Sequence, residues 1–259
     1  MPKKARTLRS ETPERREELV AWLRSEGVLT YEQIQKRFSI APMTSRRDVA
    51  ALHEQGKLVR VLRGAMRVHS GGLLTEGPLY LRQRKNLAAK QQVAQAALKL
   101  IEPGRTLFLD AGTTCIELAR AIAQQRLAVT IVTNSVLISA CFCEGAPAKV
   151  IQIGGQLNSF SGCVTGPESE AAAAGYFIDI GFFTTLGYVP GEGTYESLPE
   201  TFRVKQAFAE RCADLILLMD HTKFGQRALN RVFPDDRIKR IVTDRPIGGK
   251  ADPRFLSAS

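Results

Sequence analysis

The chain has no apolar run long enough to span a bilayer, which needs about 20 consecutive apolar residues. Its first residues are basic but lead into no apolar stretch of the kind a secretion signal requires. Histidine is scarce, with 3 in 259 residues. The 5 cysteines, Cys115, Cys141, Cys143, Cys163 and Cys212, are odd in number. Only Cys141 and Cys143 are close together, without zinc-type spacing or a neighbouring histidine. These absences argue against a membrane protein, a disulfide scaffold, a metal site and a bound cofactor. Free thiols in a reducing cytoplasm are the expectation.

Positive charge is plentiful and unevenly placed. Residues 1–72 hold 15 Lys and Arg against 8 Asp and Glu, a net of +7, whereas the remainder holds 21 against 18, a net of +3. The hydrophobic fraction of 44% supports a real core. A polyanionic partner for the N-terminal quarter follows, because phosphate neutralisation supplies much of nucleic-acid affinity.

Residues 1–12 read as a polar, disordered tail. Helical periodicity begins near Pro13, with Leu19, Val20, Trp22 and Leu23 as its apolar set and Gly27 as its stop. Thr30 and Gln33 have capping-box spacing for a second helix carrying Ile34 and Phe38. Pro42 suits the first turn of a third helix. Met43, Val49 and Leu52 are expected to face inward there, leaving Thr44, Ser45 and Arg47 outward with Arg46 beside them. Helix, turn and helix with cations at the start of the second is a shape suited to the DNA major groove. After Gly56, residues 57–68 read as a two-stranded wing broken at Gly64, with Arg60, Arg63 and Arg67 in reach of phosphates or the minor groove.

Residues 15–68 resemble the N-terminal domain of DeoR-family bacterial transcriptional regulators. The matching segments are Thr44-Ser-Arg-Arg-Asp-Val49 on the third helix and Leu62-Arg-Gly-Ala65 in the wing. Against the family pattern, Ser45 replaces an aliphatic residue, Ala41 a capping serine, and Leu62 and Arg63 a His-Gly pair. The resemblance implies a winged helix–turn–helix over 13–70, a linker over 71–82 and a sensor domain over 83–250.

Turn residues in Ser70–Pro78 mark the boundary, and residues 82–101 read as one helix with Leu87, Val93, Ala97, Leu98 and Ile101 on its apolar face. Buried-strand patterns follow at 106–110, 129–133, 150–153, 215–219 and 240–243, with helical stretches between most of them. This alternation predicts an α/β domain with a mainly parallel sheet, whose ligands sit at the carboxyl ends of strands. Asp110-Ala-Gly-Thr-Thr-Cys-Ile-Glu117 joins a strand to a helix. Gly112 would permit a tight turn, and Thr113 and Thr114 would offer hydroxyls and N–H groups to a phosphate at the helix N-terminus. The loops at Asn134 and at Gly154-Gly155 are expected to close round the same ligand, and Lys205 and Lys223 to ion-pair with it.

Residues 83–245 are similar to the sensor domain of the same family, through Asp110-Ala-Gly-Thr-Thr114, Thr133-Asn134, Gly154-Gly155, Val204-Lys205 and Asp220-His-Thr-Lys-Phe-Gly225. The sensor fold in turn resembles sugar-phosphate isomerases. The resemblance implies a repressor of a sugar or polyol operon, controlled by a phosphorylated sugar or related metabolite. Paired half-sites on an operator imply a homo-oligomer, dimer or tetramer. Two other readings are an isomerase-like enzyme, with Asp110, Asp220 or Glu200 as proton-transfer base, and a non-specific nucleic-acid binder.

Overall fold

A computed structural model describes residues 12–26, 28–55, 57–61, 63–67, 79–158, 161–246 and 252–258. The expectations for the tail, Gly27, Gly56, Leu62 and the 70–78 boundary, and the Arg67 side chain, lie outside these residues. The chain divides into two units, Met1–Gly71 and Gly72–Ser259.

In the first unit, α1 (Thr12–Glu26) buries Leu19, Val20 and Leu23 against Ile34, Val49 and Leu52. A short strand β1 (Val28–Thr30) leads directly into α2 (Tyr31–Phe38). The capping box is present: Gln33 N donates to Thr30 Oγ1 at 3.2 Å, and Thr30 N to Gln33 Oε1 at 2.7 Å. Ser39 ends α2 in the left-handed region with φ 50°. Pro42 opens α3 (Pro42–Glu54), and Ala41 before it gives no side-chain cap. The wing is β2 (Leu58–Val61) and β3 (Gly64–Arg67), and β1 adds to it as a third antiparallel strand in the order β1–β3–β2. Gly64 lies inside β3 opposite Thr30. A Cβ there would stand 1.9 Å from the Leu29 carbonyl oxygen, so close strand approach demands glycine.

The second unit begins with α4 (Leu79–Arg84) and α5 (Leu87–Leu98). The single helix expected over 82–101 is broken at Asn86, which adopts φ 53° and sends its side chain to Asp220 and Thr222. Leu87, placed on the apolar face by periodicity, is exposed. In chain order there follow β4 (Thr106–Leu109), α6 (Thr113–Gln124), β5 (Thr130–Thr133), α7 (Val136–Ala140) and β6 (Lys149–Gln152). A hairpin of β7 (Gln156–Asn158) and β8 (Cys163–Thr165) precedes α8 (Pro167–Ala172) and β9 (Ile178–Thr184). Then come β10 (Gly187–Val189), β11 (Gly193–Glu196), α9 (Pro199–Ala209), β12 (Cys212–Leu218), β13 (Asn230–Pro234), β14 (Arg240–Thr243) and β15 (Phe255–Ser257).

Seven strands form one parallel sheet in the order β15–β14–β12–β9–β4–β5–β6. Successive side chains go to opposite faces. Leu107, Leu109, Phe182, Ile216 and Leu218 join the core shared with α5 and α6, while Phe108, Phe183, Leu215 and Leu217 join the core shared with α9. Both faces are covered, which is why these strands read as continuous apolar runs. A small antiparallel sheet, β10–β11–β13, stands apart from the large one.

Candidate functional site

On α3 the structure separates the residues that the sequence grouped. Arg46 and Arg47 are exposed, and Thr44 is half-buried. Ser45 is fully buried, so its expected outward role is corrected: its hydroxyl donates to Pro42 O at 2.8 Å and accepts from Gln35 Nε2 at 3.2 Å. Met43 is corrected the other way, being 68% exposed. Asp48, one turn further along, is buried and anchors α3 to α1. Arg15 Nε reaches Asp48 Oδ2 at 2.7 Å, and Arg16 Nε reaches Oδ1 at 2.8 Å. The arginine run thus has its acidic neighbour facing inward and its cations facing water. The Arg46 guanidinium carbon sits 5.6 Å from the Tyr31 ring centroid, a cation–π contact. Arg60 and Arg63 are exposed on the wing. This exposed, cationic helix face and wing are what a phosphate backbone and groove require.

In the second unit a cavity opens at the carboxyl ends of β12, β9, β4 and β5. It brings together Asp110, Gly112, Thr113, Thr114, Asn134, Lys205 and Lys223, as the sequence suggested. It also takes in Arg82, Lys85 and Lys90 from α4 and α5, which sequence reasoning assigned to linker and helix. The break at Asn86 folds that basic stretch back towards the sheet. Lys90 is buried, and its ammonium donates to the main-chain carbonyls of Arg82 and Lys85. Burial pushes its pKa down to about 8 despite the attraction of Asp220, with Lys223 and Arg82 adding repulsion. Lys223 lies in the short 3-10 turn His221–Lys223, and burial lowers its pKa also. It has no ion-pair partner among the described residues. Burial acts to raise the pKa of Asp220, but bonds from Thr222 and Asn86 and the Lys223 charge outweigh it, so the carboxyl titrates low. Ammonium groups withdrawn from water in this way favour an entering anion.

Lys205 has a different part from the one expected. It is paired with Glu196 at 2.6 Å and Asp110 at 3.1 Å, and donates to Thr184 O at 3.0 Å. Asp110 Oδ2 also accepts from Thr184 N at 3.0 Å and Thr184 Oγ1 at 2.6 Å. Lys205 therefore holds two carboxylates together on the cavity wall. Gly112 has an ordinary φ of −74°, so no tight turn calls for it. A Cβ there would lie 1.8 Å from Thr184 Oγ1, and it is this close approach that excludes a side chain. Gly112 also caps α6 without a side chain, leaving the first N–H groups of Thr113 and Thr114 open to a ligand.

Gly154 and Gly155 are not brought to the cavity, and their assignment is corrected. They are exposed at the end of edge strand β6. Gly155 has φ +146°, and a Cβ would lie 2.0 Å from Ser169 Oγ, whose hydroxyl donates to Gly154 O at 2.7 Å. The pair serves packing against α8. Of the candidate bases, Glu200 is exposed and outside the lining, whereas Asp110 and Asp220 line the cavity. Among the described residues no cluster of His, Cys, Asp and Glu suits a metal ion, and no helix is long and apolar enough to cross a membrane.

Comparison with known proteins agrees with both units. Residues 15–71 match the family described as the DeoR-like helix-turn-helix domain, and residues 85–245 the DeoR C terminal sensor domain. The HTH-type transcriptional regulator UlaR of Shigella sonnei is 29% identical over 245 residues, 94% of this chain and 93% of that protein. A protein of Escherichia coli O157:H7 with the provisional name aga operon transcriptional repressor is 28% identical over 236 residues, 91% of this chain and 87% of that one. Among solved structures, ribose 5-phosphate isomerase A of Methanocaldococcus jannaschii aligns with TM-score 0.41 and 16% identity, over 54% of this chain and 55% of that chain. The two relatives that align along nearly the whole length of this chain carry the names of regulators rather than enzymes. The chain belongs to the DeoR family of transcriptional regulators, with a helix–turn–helix domain followed by a sensor domain.

Proposed function

We propose that the protein represses a sugar or polyol operon, and that a phosphorylated metabolite held in the sensor cavity sets its affinity for operator DNA. The observation that carries this reading is the cavity itself: Lys90 and Lys223, with Arg82 and Lys85, beside the uncapped N-terminus of α6. The name of the aga operon relative supports repression. Arg46 and Arg47 enter the major groove from α3, while Arg60, Arg63 and Arg67 hold phosphates or the minor groove from the wing. The DNA-binding domain runs over 13–70, the linker over 71–82 and the sensor over 83–250. The protein works in the cytoplasm as a dimer or tetramer on paired half-sites. Effector and operator are coupled through the ligand's different affinity for two states of the protein. A typical coupling of about 1–3 kcal/mol changes operator affinity roughly 5–150-fold.

The test has two stages. DNA flanking the gene is selected for binding, and the selected duplex competes against random duplex at matched salt. Phosphorylated sugars and polyols that raise the melting temperature are then added. The expected result is a preference of at least about 10³-fold for the selected site, shifted by at least one such ligand. No preference over random duplex, or an operator affinity that no stabilising phosphate ester moves, would overturn the reading.

A further inference from the structure

The chain that joins the two units enters the sensor through α4, the first described element of the second unit. This helix has six residues, and none of them is buried. A helix so short has no stability of its own, so its seats on neighbouring structure decide whether it stays in place. It has two. At its start Leu79 packs against the core shared with α5 and α6, and a Cβ at Gly162 would stand 2.7 Å from Leu79 Cδ2. Just past its end Asn86, held at φ 53°, donates to Asp220 Oδ1 at 3.1 Å and to Thr222 Oγ1 at 3.3 Å. Lys90 completes this second seat. Its ammonium donates to Arg82 O and Lys85 O, at the end of the helix where carbonyls lack partners and a cation is favoured.

The charges around the second seat work against it. Arg82 lies on α4 and Lys85 just after it, and both line the cavity with Lys90 and Lys223. Arg82 repels both ammonium groups, Lys85 repels Lys223, and Lys223 repels Lys90. Asp220 is the main attraction on Lys90 and Lys223, with less from Glu117 on the first and Glu196 on the second. The share of the repulsion that falls on Arg82 and Lys85 pushes α4 away from the sheet. An anion among these groups reverses the sign, because it attracts the two α4 cations. Lys90 joins it to the helix: of three N–H groups the ammonium gives two to α4, and the third is left for the anion. We propose that α4 is a strap operated by anion binding, loosely seated without an anion and drawn down over the cavity by one, and that the chain leading to the DNA-binding unit takes up this change. Lys90 and Asn86 are its positioning residues. This inference rests on the reading that the cavity takes an anion, and concerns what the anion moves.

Hydrogen exchange of the full chain in inorganic phosphate and in chloride, at matched ionic strength, tests the proposal beside calorimetry of phosphate binding. At saturating phosphate the amides of residues 82–85 are expected to exchange at least about fivefold more slowly. Those of α8, which contributes nothing to the cavity lining, should keep their rates. Leu79 is also outside the lining, so Leu79→Ala loosens the strap without touching the anion. Phosphate affinity there should stay within about threefold of the native value, while the change that phosphate makes in affinity for the selected duplex falls by at least about half. Asn86→Gly keeps the left-handed backbone and loses both side-chain bonds. It should speed exchange at 82–85 in chloride, which provides a second route if Leu79→Ala does not fold. If phosphate does not bind the native chain, the anion reading of the cavity falls and this inference with it. If phosphate binds but exchange at 82–85 is unchanged or faster, or if both variants respond as the native chain does, the strap alone is overturned.

Discussion

The cations of the two units differ in kind and in surroundings. On α3 and the wing they are arginines standing in water: Arg46, Arg47, Arg60 and Arg63. In the sensor cavity Lys90 is a buried lysine and Lys223 a half-buried one, and burial lowers the pKa of both. An exposed guanidinium loses little on folding and gains when counterions leave a polyanion, so its contribution falls steeply with salt. A buried ammonium is destabilised before any ligand arrives, and only an anion of the right size in the right place relieves it. The first arrangement suits a long polyanion followed over many contacts. The second suits a small one selected by geometry. DNA affinity is therefore expected to fall by orders of magnitude between 50 and 200 mM salt, while cavity affinity shifts far less.

Asp48 is where the first unit departs from that pattern, because it is a buried charge in a domain of exposed ones. Arg15 and Arg16 converge on it at 2.7 and 2.8 Å and tie α1 to α3. Asp48→Ala leaves two partly buried guanidinium groups without their counterion. The expected loss is about 3 kcal/mol, confined to the N-terminal unit, with DNA binding lost and the sensor transition unmoved in a denaturant melt. A loss below about 1 kcal/mol would class the cluster with surface ion pairs instead.

The corresponding weak point of the sensor is Gly112. With a Cβ 1.8 Å from Thr184 Oγ1, Gly112→Ala displaces Thr184 from Asp110. A cost of about 1–3 kcal/mol to the sensor unit is expected, with ligand binding impaired. Unaltered melting and titration would mean that the loop absorbs the methyl by shifting as a whole.

Much of this was legible from residues. Strands ending in Asp110, Asn134 and Asp220 point from the sequence to one sheet edge, and all three residues line the cavity. Central strand β9 was not legible, because Asp179 and Gly181 interrupt its apolar run. Asp179 accepts from Thr106 N at 2.7 Å, and a side chain at Gly181 would meet Phe183 Cε2 at 2.4 Å and Cys212 Sγ at 2.5 Å, so both positions are set by how the folded strands pack rather than by an apolar run. The basic run Arg82–Lys85 has the pattern of a solvated helix face. Only the left-handed turn at Asn86, bonded to Asp220 at 3.1 Å, brings it over the cavity. Gly154-Gly155 lies away from the cavity, and its sequence pattern is ambiguous because glycine after a strand looks the same whether it clears space for a phosphate or for Ser169.

Lys90 sharpens the comparison through pH. Its folded pKa of about 8 lies below the ordinary 10.5. Between those values the unfolded chain holds a proton that the folded chain lacks, so the Lys90 contribution to stability rises with pH across that window. Ligand binding runs the opposite way, because the anion needs the charged form. A phosphate ester is already dianionic there. Affinity is expected to fall above pH 8, by up to about tenfold per unit, and calorimetry near pH 8.5 should register proton uptake. Lys90→Met should flatten the profile. DNA binding through arginine has no such dependence, and a parallel decline in operator affinity of the ligand-free protein would break the distinction.

The smallest effect belongs to Ser45, and it tests how far the sequence motif can be taken at face value. The motif places Ser45 next to Arg46, but the helix turns it inward, where its hydroxyl bonds Pro42 O and Gln35 Nε2. Ser45→Ala is expected to lower the stability of the N-terminal unit by about 1 kcal/mol. Operator affinity measured well below the melting temperature should change by less than about 0.5 kcal/mol. Arg47→Ala, one helical step away from that wall and exposed, is expected to lose about 1–3 kcal/mol of operator affinity and to relax base preference if it reads a guanine. A uniform loss across sequences would instead assign Arg47 to phosphate. If Ser45→Ala weakened binding as much as Arg47→Ala while the fold stayed intact, α3 would have to rotate on the DNA to expose a residue that it now buries completely.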